Sequence, residues 1–285
     1  MKHNYSLLLS CIFSLFISCD DEDLKAPVPG FLQIDEISVK TTASIQGSAS
    51  NNIKDAWVFI DDQLIGVFEL PTNIPIQNTG DFNLKIRGGI FNNGLSNNRV
   101  IYPFYEFYIK DTTVAPQEQM KLTPVVEYKV DTEFDDPWSG ENFESGINFE
   151  HNPNSETTFT RNTVDDVKEG AASGLARLES DETFFEAYTP AFSDISRLGV
   201  PAYLELDYKC SHDVVISVYT DSRAQQFSVL VLRCQNEWNK IYVDFTPVFS
   251  TLSTATNYNI AIGYTKPVGE IGELHVDNIK FLKFQ

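Results

Sequence analysis

From residue 31 onward, apolar and polar residues alternate in short runs that Gly, Pro, Asn and Asp interrupt. A period of two residues is that of a strand with one buried face, and regularly spaced turn residues are typical of all-β domains. No stretch has sustained helical periodicity, although residues 163–169 and 190–198 could each hold a turn or two of helix. The pattern therefore predicts an all-β protein.

Residues 29–130 form the first predicted module. Its clearest element is a hairpin, in which the runs 56–60 and 64–68 flank the turn Asp61-Asp62-Gln63. Residues that favour strands around a short acidic turn indicate two antiparallel strands. A further strand is predicted at 82–86, after a turn that contains Gly80. The order of these runs resembles PEGA-type immunoglobulin-like surface modules, which implies an immunoglobulin-like sandwich that serves as a spacer or an interaction platform.

Five aromatic rings fall within residues 102–108 of this module. Rings on both faces of one strand cannot all enter a single-sided core. We therefore expect them to fill the core and the contact with the second module, and a ligand platform is the alternative. Pro103 has no N–H to donate, which predicts an edge strand or a bulge here.

Residues 131–285 form the second predicted module, with strands at 202–210, 214–220, 226–234, 240–245 and 258–264 and a final run at 274–282. This spacing suits a jelly-roll β-sandwich. Three features resemble galactose-binding-like and carbohydrate-binding jelly rolls in order and separation. They are the opening Glu133-Phe134-Asp135, the run "Glu-Gly-x-x-Ser-x-x-Ala-x-Leu" from Glu169, and the closing residues 276–279, Val-Asp-Asn-Ile.

The same resemblance implies a structural calcium ion. In that fold the first and last strands lie side by side, which would bring Asp277 towards Glu133 and Asp135. Carboxylate and carbonyl oxygens are the ligands that Ca²⁺ prefers. The alternative is that Asp277 and Asn278 shape a bulge or turn without a metal. No cofactor is otherwise required.

The first 18 residues have the composition of a secretory signal peptide, with a basic start, an apolar run at 7–17 and Ser18 before Cys19. The apolar run is about half the ~20 residues that a membrane-spanning helix needs. The tetrapeptide at 16–19, Phe-Ile-Ser-Cys, resembles a lipobox, which implies cleavage before Cys19 and lipid on that cysteine. An ordinary signal peptide followed by a chance cysteine is the alternative.

Residues 19–28 are expected to be a tether. Its acidic block at 20–23 resembles the export signal by which Bacteroidota lipoproteins reach the outer face of the outer membrane, although a charge run can simply be solvated. Two other cysteines remain in the mature chain, Cys210 and Cys234. A disulfide between them and two free thiols are both compatible with the sequence.

Lys and Arg number 21 against 40 Asp and Glu, which gives a formal net charge of −19. Such a surface repels phosphate backbones, so nucleic acid is excluded as a partner. The sequence has no Gly-x-Ser-x-Gly elbow, phosphate-binding loop or His-Glu-x-x-His motif, and we expect no enzyme activity. A glycoside-active enzyme is the weakest of the alternatives.

The favoured function is the binding of a polysaccharide by a lipid-anchored protein of the cell envelope. Sugar recognition needs an aromatic ring against the apolar face of the sugar and amide or carboxyl groups for its hydroxyls. Large aromatic rings are the common filling of a β-sandwich, which favours a structural role for each candidate ring taken by itself. The alternative function is an adhesion or scaffold lipoprotein that binds another envelope protein. The candidate rings are Trp138, Tyr188, Tyr203, Tyr219 and Trp238.

Overall fold

The computed structural model describes residues 28–77, 80–134, 140–164, 166–193, 195–196, 198–252 and 255–284. Their secondary structure is almost entirely β, which confirms the predicted fold class. The N-terminal module contains strands β1 (Gly30–Ile34), β2 (Ser38–Lys40), β3 (Asp55–Ile60), β4 (Gln63–Glu69), β5 (Thr72–Ile76), β6 (Phe82–Phe91), β7 (Arg99–Ile101), β8 (Tyr108–Thr112), β9 (Gln119–Leu122) and β10 (Val125–Glu127), and helix α1 (Ala43–Gln46).

These strands form three sheets, which enclose an apolar core. One sheet has the order β5-β1-β9, a second pairs β10 with β2, and the third has the order β4-β3-β6-β7, with β8 also paired to β6. The pairs β1/β9 and β2/β10 are parallel, so the beginning and end of the module lie side by side. Leu32, Val58 and Ile86 are among its fully buried side chains.

The predicted hairpin is confirmed. Strand β3 pairs with β4 antiparallel, with Ile60 opposite Gln63, so Gln63 belongs to the strand rather than to the turn. The two turn residues, Asp61 and Asp62, have positive φ angles of 48° and 66°. Positive φ at both central positions is typical of the tight turn that matches the twist of two antiparallel strands.

The C-terminal module is built from two larger sheets. The first has the order β13-β14-β21-β16-β19, with β11 paired to β21, and the second has the order β12-β15-β20-β17-β18. Its elements are β11 (Thr132–Glu133), β12 (Glu150–His151), β13 (Thr160–Asn162), β14 (Ser173–Leu178), β15 (Phe184–Tyr188), β16 (Ala202–Cys210), β17 (Val214–Thr220), β18 (Gln225–Leu232), β19 (Asn239–Asp244), α2 (Thr246–Thr251), β20 (Tyr258–Thr265) and β21 (Gly272–Phe284).

The two sheets pack face to face through one apolar cluster, as in a β-sandwich. Leu206 of β16, Val218 of β17 and Ile262 of β20 are completely buried in it. The strands predicted at 202–210 and 214–220 coincide with β16 and β17. The helical turns considered at 163–169 and 190–198 are absent from the described residues there. Helix α2 was not predicted; it has Pro247 in its first turn, a position that does not need an N–H donor.

The aromatic run at 102–108 lies where the two modules meet. Tyr102, Phe104 and Tyr105 are completely buried. The ring centroid of Tyr102 is 4.7 Å from that of Tyr242, and the ring centroid of Phe104 is 4.6 Å from that of Phe284. For these three rings the contacts confirm the interpretation as core and module contact, whereas Phe107 is exposed.

The run is, however, not one strand. Residues 102–105 lie outside the strands, between β7 and β8. Pro103, predicted on an edge strand or bulge, therefore stands in a turn, where its missing N–H leaves no ladder hydrogen bond unmade.

A buried carboxylate lies among the tyrosines of this contact. Glu205 of β16 is completely buried and accepts hydrogen bonds from the hydroxyls of Tyr102 (2.7 Å) and Tyr128 (3.0 Å). Its Oε2 is 3.2 Å from Nζ of Lys240. Burial raises the pKa of Glu205, but the positive charges of Lys240 and Lys280 and the Tyr102 hydrogen bond outweigh that effect and leave the pKa below its ordinary value. Glu205 and its partners therefore form a buried polar group among the aromatic rings, and residues of both modules contribute to it.

Candidate ligand-binding face

The five-stranded sheet β12-β15-β20-β17-β18 carries a polar surface on the side turned away from the core, which we call the outer face. Alternation along β15 sends Phe185 and Ala187 into the apolar cluster, so Glu186 and Tyr188 point to the outer face. The centre of this face is built from small residues. Ala261 stands opposite Tyr188, and a Cβ at Gly263 would lie 2.6 Å from the carbonyl oxygen of Phe185. Small residues leave room above the sheet for long side chains from its flanks.

Two of the predicted ligand-binding tyrosines meet on the outer face. The ring centroids of Tyr188 on β15 and Tyr219 on β17 are 5.2 Å apart, with planes at 81°. The Tyr219 hydroxyl donates to Glu186 Oε1 (3.1 Å), and Asn152 Nδ2 donates to the same oxygen (2.6 Å). Burial and the neighbouring Glu186 carboxylate raise the pKa of Tyr219 to about 12. The face therefore combines two rings with a carboxylate and an amide.

Arg223 extends over this surface from the turn that joins β17 to β18. Its Cζ lies 4.2 Å from the ring centroid of Tyr188, a cation–π contact. One of its terminal nitrogens forms an ion pair with Glu150 of β12, the edge strand of the sheet. Arg223 thus bridges two flanks of the outer face.

A cleft of about 530 Å³ opens beside Arg223. Its lining offers hydroxyl, amide, carboxylate and guanidinium groups, with the buried ring of Phe192 at its base. Asn259 is held in place by a hydrogen bond from its Nδ2 to the carbonyl oxygen of Thr189 (2.8 Å). The lining residues are Glu150, Ala191, Phe192, Ser193, Ser222, Arg223, Asn257 and Asn259.

The other predicted rings are elsewhere. Trp238 directly precedes β19 of the six-stranded sheet and contacts the ring of His275, at 6.2 Å between centroids. Tyr203 packs against Tyr102 and Phe104 in the module contact. Trp138 lies outside the described residues. The structure therefore brings together Tyr188 and Tyr219 and places Trp238 on the other sheet.

The three predicted calcium ligands are not assembled by the described residues. Glu133 stands opposite Lys283, near the end of β21, and pairs with its Nζ at 2.7 Å. Asp277 lies further back along β21, where its oxygens accept the backbone N–H groups of Asn278 (2.8 Å) and Glu169 (3.1 Å). Asp135 lies outside the described residues. The expected approach of Asp277 to Glu133 is therefore wrong, because β11 pairs with the far end of β21.

Within the described part of the chain, no group of three or more His, Cys, Asp or Glu side chains is arranged to hold a metal ion. Asn278 has a positive φ of 50°, which fits the bulge or turn that the sequence left open as the alternative. A calcium ion bound with the help of Asp135 stays a prediction.

The two cysteines expected in the mature chain after Cys19 lie among the described residues. Cys210 and Cys234 are both free, the first buried and the second exposed. Cys19 and the acidic block at 20–23 lie outside the described residues. Where the structure describes the chain, no helix has the length and apolar character needed to cross a membrane.

The sequence analysis did not identify the polar residues of the outer face, which are Glu186, Asn152, Arg223 and Glu150. For Glu186 a signal was present, since the alternation Phe185-Glu186-Ala187-Tyr188 is that of a strand with one buried face. For Asn152, Glu150 and Arg223 no local signal existed, because they lie on short or irregular segments that only the fold brings to the sheet.

No protein family model matches this chain, and no curated protein matches it. Among solved structures, a carbohydrate-binding module from the β-sandwich superfamily is 12% identical, with 80% of this chain and 84% of that chain covered and a TM-score of 0.37. A module bound to β-1,4-galactotriose is 11% identical, with 50% and 90% covered and a TM-score of 0.32.

The enzymatically active domain of tailspike protein 4 from bacteriophage CBA120 is 14% identical, with 50% of this chain covered and a TM-score of 0.36. The match spans 20% of that chain. Similarity at these TM-scores carries no argument about function.

Proposed function

We propose that this protein is a non-catalytic glycan-binding protein of the bacterial cell envelope, anchored to the outer membrane by lipid on Cys19. The observation that carries the proposal is the outer face, where Tyr188 and Tyr219 stand beside Glu186 and Arg223 at the edge of a polar cleft. A ring with convergent hydrogen-bonding groups is what recognition of a sugar requires.

The balance of charge favours a neutral polysaccharide. A sugar hydroxyl both donates and accepts a hydrogen bond. The charges of Glu150 and Arg223 offset each other, and the cleft beside them is lined by the uncharged polar residues Ser193, Ser222, Asn257 and Asn259. Because the whole chain carries a net charge of −19, an anionic polysaccharide would be repelled over a longer range.

The carboxylates of the face support binding rather than catalysis. Glu186 accepts hydrogen bonds from Asn152 and Tyr219, and Glu150 is paired with Arg223. Both groups are thereby held as acceptors. Glycoside hydrolysis by two carboxyl groups needs one of them as a proton donor to the leaving oxygen.

The anchor is tested at Cys19. We expect the wild-type chain, expressed in a bacterium that processes lipoproteins, to incorporate labelled palmitate and to sediment with the outer membrane. Cys19→Ser should abolish both, because no other acyl acceptor is proposed. Cys234→Ser, which alters an exposed cysteine far along the chain, is the control and should leave both unchanged. Continued labelling of the Cys19→Ser protein would contradict the anchor.

The glycan is sought with the full chain in detergent on an array of neutral and acidic polysaccharides, with and without Ca²⁺. We expect binding to a neutral class. Tyr219→Ala should weaken it about tenfold, the loss of a stacking contact worth about 1.4 kcal/mol. Tyr108→Ala in the N-terminal module is the control. Absence of all binding in the presence of Ca²⁺ would overturn the proposal.

One observation favours the alternative of an adhesion or scaffold protein. Leu64, Ile65 and Val67 of the edge strand β4 are exposed, as are Phe107 and Ile109 of the same module. Edge strands with exposed apolar side chains are places where another chain can add. If this function holds, Val67→Lys should remove an envelope protein that cross-links to the wild-type chain and leave glycan binding intact.

A further inference from the structure

Tyr188 is a covered ring on a face that points away from the core. It belongs to neither apolar cluster, yet only 4% of its surface is exposed. The Tyr188 and Tyr219 rings are 5.2 Å apart with their planes at 81°, and Cζ of Arg223 lies over the Tyr188 ring, 4.2 Å from its centroid. A sugar that stacked on this side of Tyr188 would have to take the place of the Arg223 guanidinium.

The backbone that carries Arg223 is strained. Asp221, Ser222 and Arg223 have φ angles of 52°, 61° and 68°, three consecutive left-handed residues without a glycine. Side chains with a Cβ disfavour this conformation, and it persists only where the surroundings enforce it. The backbone N–H of Ala224 donates to the carbonyl oxygen of Thr220 (2.9 Å) and closes the turn.

Hydrogen bonds to neighbouring residues hold the β17–β18 turn in this left-handed conformation. Asp221 Oδ1 accepts hydrogen bonds from the backbone N–H (2.9 Å) and the hydroxyl (3.0 Å) of Thr256. Asn257 Oδ1 accepts the N–H of Ser222 (2.9 Å). The base of the turn is therefore fixed to the segment before β20, at the position that aims Arg223 across the sheet.

The guanidinium group of Arg223 is held less firmly than the backbone of the turn that carries it. Its ion-pair partner Glu150 has a side chain that is 50% exposed, and the Arg223 side chain is 29% exposed. Exposed ion pairs contribute little to stability, since water and salt compete for both charges. A cation–π contact at such a site is also modest. The guanidinium can leave the ring while the turn stays in place.

We propose that Arg223 is a movable cover on Tyr188, which a glycan displaces in order to stack on the ring. This inference rests on the proposed function and concerns the regulation of glycan binding. In the ligand-free chain, Arg223 covers Tyr188, which is the second ring available for stacking after Tyr219. Binding then selects ligands whose contact with Tyr188 and the cleft outweighs the contacts that Arg223 gives up.

The cover is tested first without any glycan, by hydroxyl-radical footprinting of the full chain in detergent. Arg223→Gly removes the side chain and suits a left-handed φ, so the turn should form at least as readily. Arg223→Asn, a second residue that tolerates this conformation, guards against an effect of glycine on the backbone. Both should raise oxidation of Tyr188 several-fold, and Arg233→Ala, which breaks the exposed ion pair with Asp213, should not. Unchanged protection of Tyr188 in both variants would overturn the proposal.

The second arm uses the neutral glycan selected by the array. Removal of a contact worth about 0.5–1 kcal/mol predicts that Arg223→Gly and Arg223→Asn bind it with a Kd about two- to fivefold lower than wild type. Weaker binding by both would overturn the cover and make Arg223 a ligand contact instead. A wild-type chain that binds no glycan would overturn the proposed function, whereas the footprinting result still decides whether Arg223 covers Tyr188.

Discussion

Asp277 is an acid buried in the middle of β21. Burial raises its pKa to about 7; the charges of Asp207 and Glu169 add to the rise, and hydrogen bonds from the backbone N–H groups of Asn278 and Glu169 oppose it. Asp207 is itself completely buried and accepts hydrogen bonds from Ser50 (2.8 Å) and Asn278 (3.0 Å). A neutral Asp277 therefore suits the folded chain better than a charged one.

This shift makes stability depend on pH. Because the pKa of Asp277 is higher in the folded chain than in the unfolded chain, where it is near 3.8, the folded chain holds the extra proton between these values. The free energy of unfolding then falls as the pH rises from about 4 to about 7, and the loss is complete above that range.

Asp277→Asn cannot ionise and should not show this loss. Relative to wild type, we expect the variant to gain about 2–3 kcal/mol in free energy of unfolding between about pH 5 and about pH 8, an upper estimate at 1.36 kcal/mol per pKa unit. Guanidinium unfolding across this range measures it. Asp62→Asn, at an exposed turn, is the control and should track wild type. Parallel curves for Asp277→Asn and wild type would contradict the shift.

At the scale of elements, tight turns of non-glycine residues set the geometry of both modules. The β3–β4 turn places Asp61 and Asp62 at positive φ, and the β17–β18 turn does the same for three residues. Asp tolerates this conformation better than most residues, but glycine adopts it without a steric penalty.

Asp62→Gly should therefore stabilise the β3–β4 hairpin. The exposed ion pair of Asp62 with Lys85 is lost, which offsets part of the gain. We expect a net increase of about 0.5 kcal/mol in the free energy of unfolding, or about 1–2 °C in Tm. In a Lys85→Ala background, where no ion pair remains to be lost, the gain should be larger. A decrease in both backgrounds would show that the turn is not strained.

Local patterns predict the strands of this protein well and its site only in part. The alternation that marks β16 and β17 is strong because each strand has one face in the core. Strand β15 was not predicted, although the alternation Phe185-Glu186-Ala187-Tyr188 is that of a strand with one buried face. The rings of Tyr188 and Tyr219 could be proposed from residue type alone. Arg223 could not, since its partners Glu150 and Tyr188 reach it only through sheet pairing.

The predicted approach of Asp277 to Glu133 is wrong because of the strand register, whereas calcium binding itself stays a prediction. A likeness of motifs correctly suggested that the first and last strands of the C-terminal module pair. It carried no information on which residues of β21 face β11, and the pairing places Lys283 opposite Glu133. Register depends on the fit of both strands with the rest of the sheet.

At the scale of the whole molecule, the modules are joined through buried side chains. Tyr203, Tyr242 and Leu282 of the C-terminal module belong to the apolar cluster of the N-terminal module. Glu205 lies among these rings with its hydroxyl and lysine partners. The module boundary between residues 130 and 131 stays a prediction, because residues on both sides of it belong to the same buried cluster.

Tyr102→Phe tests this contact. It removes the 2.7 Å hydrogen bond to Glu205, a buried carboxylate, and keeps the ring. Loss of a hydrogen bond to a charged group should lower the free energy of unfolding by about 1.5–3 kcal/mol. Denaturant unfolding measures the loss, and Tyr108→Phe on β8 is the control. A change below about 0.5 kcal/mol would contradict a contribution of this hydrogen bond to stability.

The shared aromatic contact has a mechanical consequence. Because side chains of both modules pack together around Glu205, neither module can rotate on the other without breaking these buried contacts. If lipid holds the tether before β1, the outer face and the N-terminal module move together as one body on that tether. Tension in a polysaccharide bound at the cleft would then pass through the buried contacts of both modules to the tether.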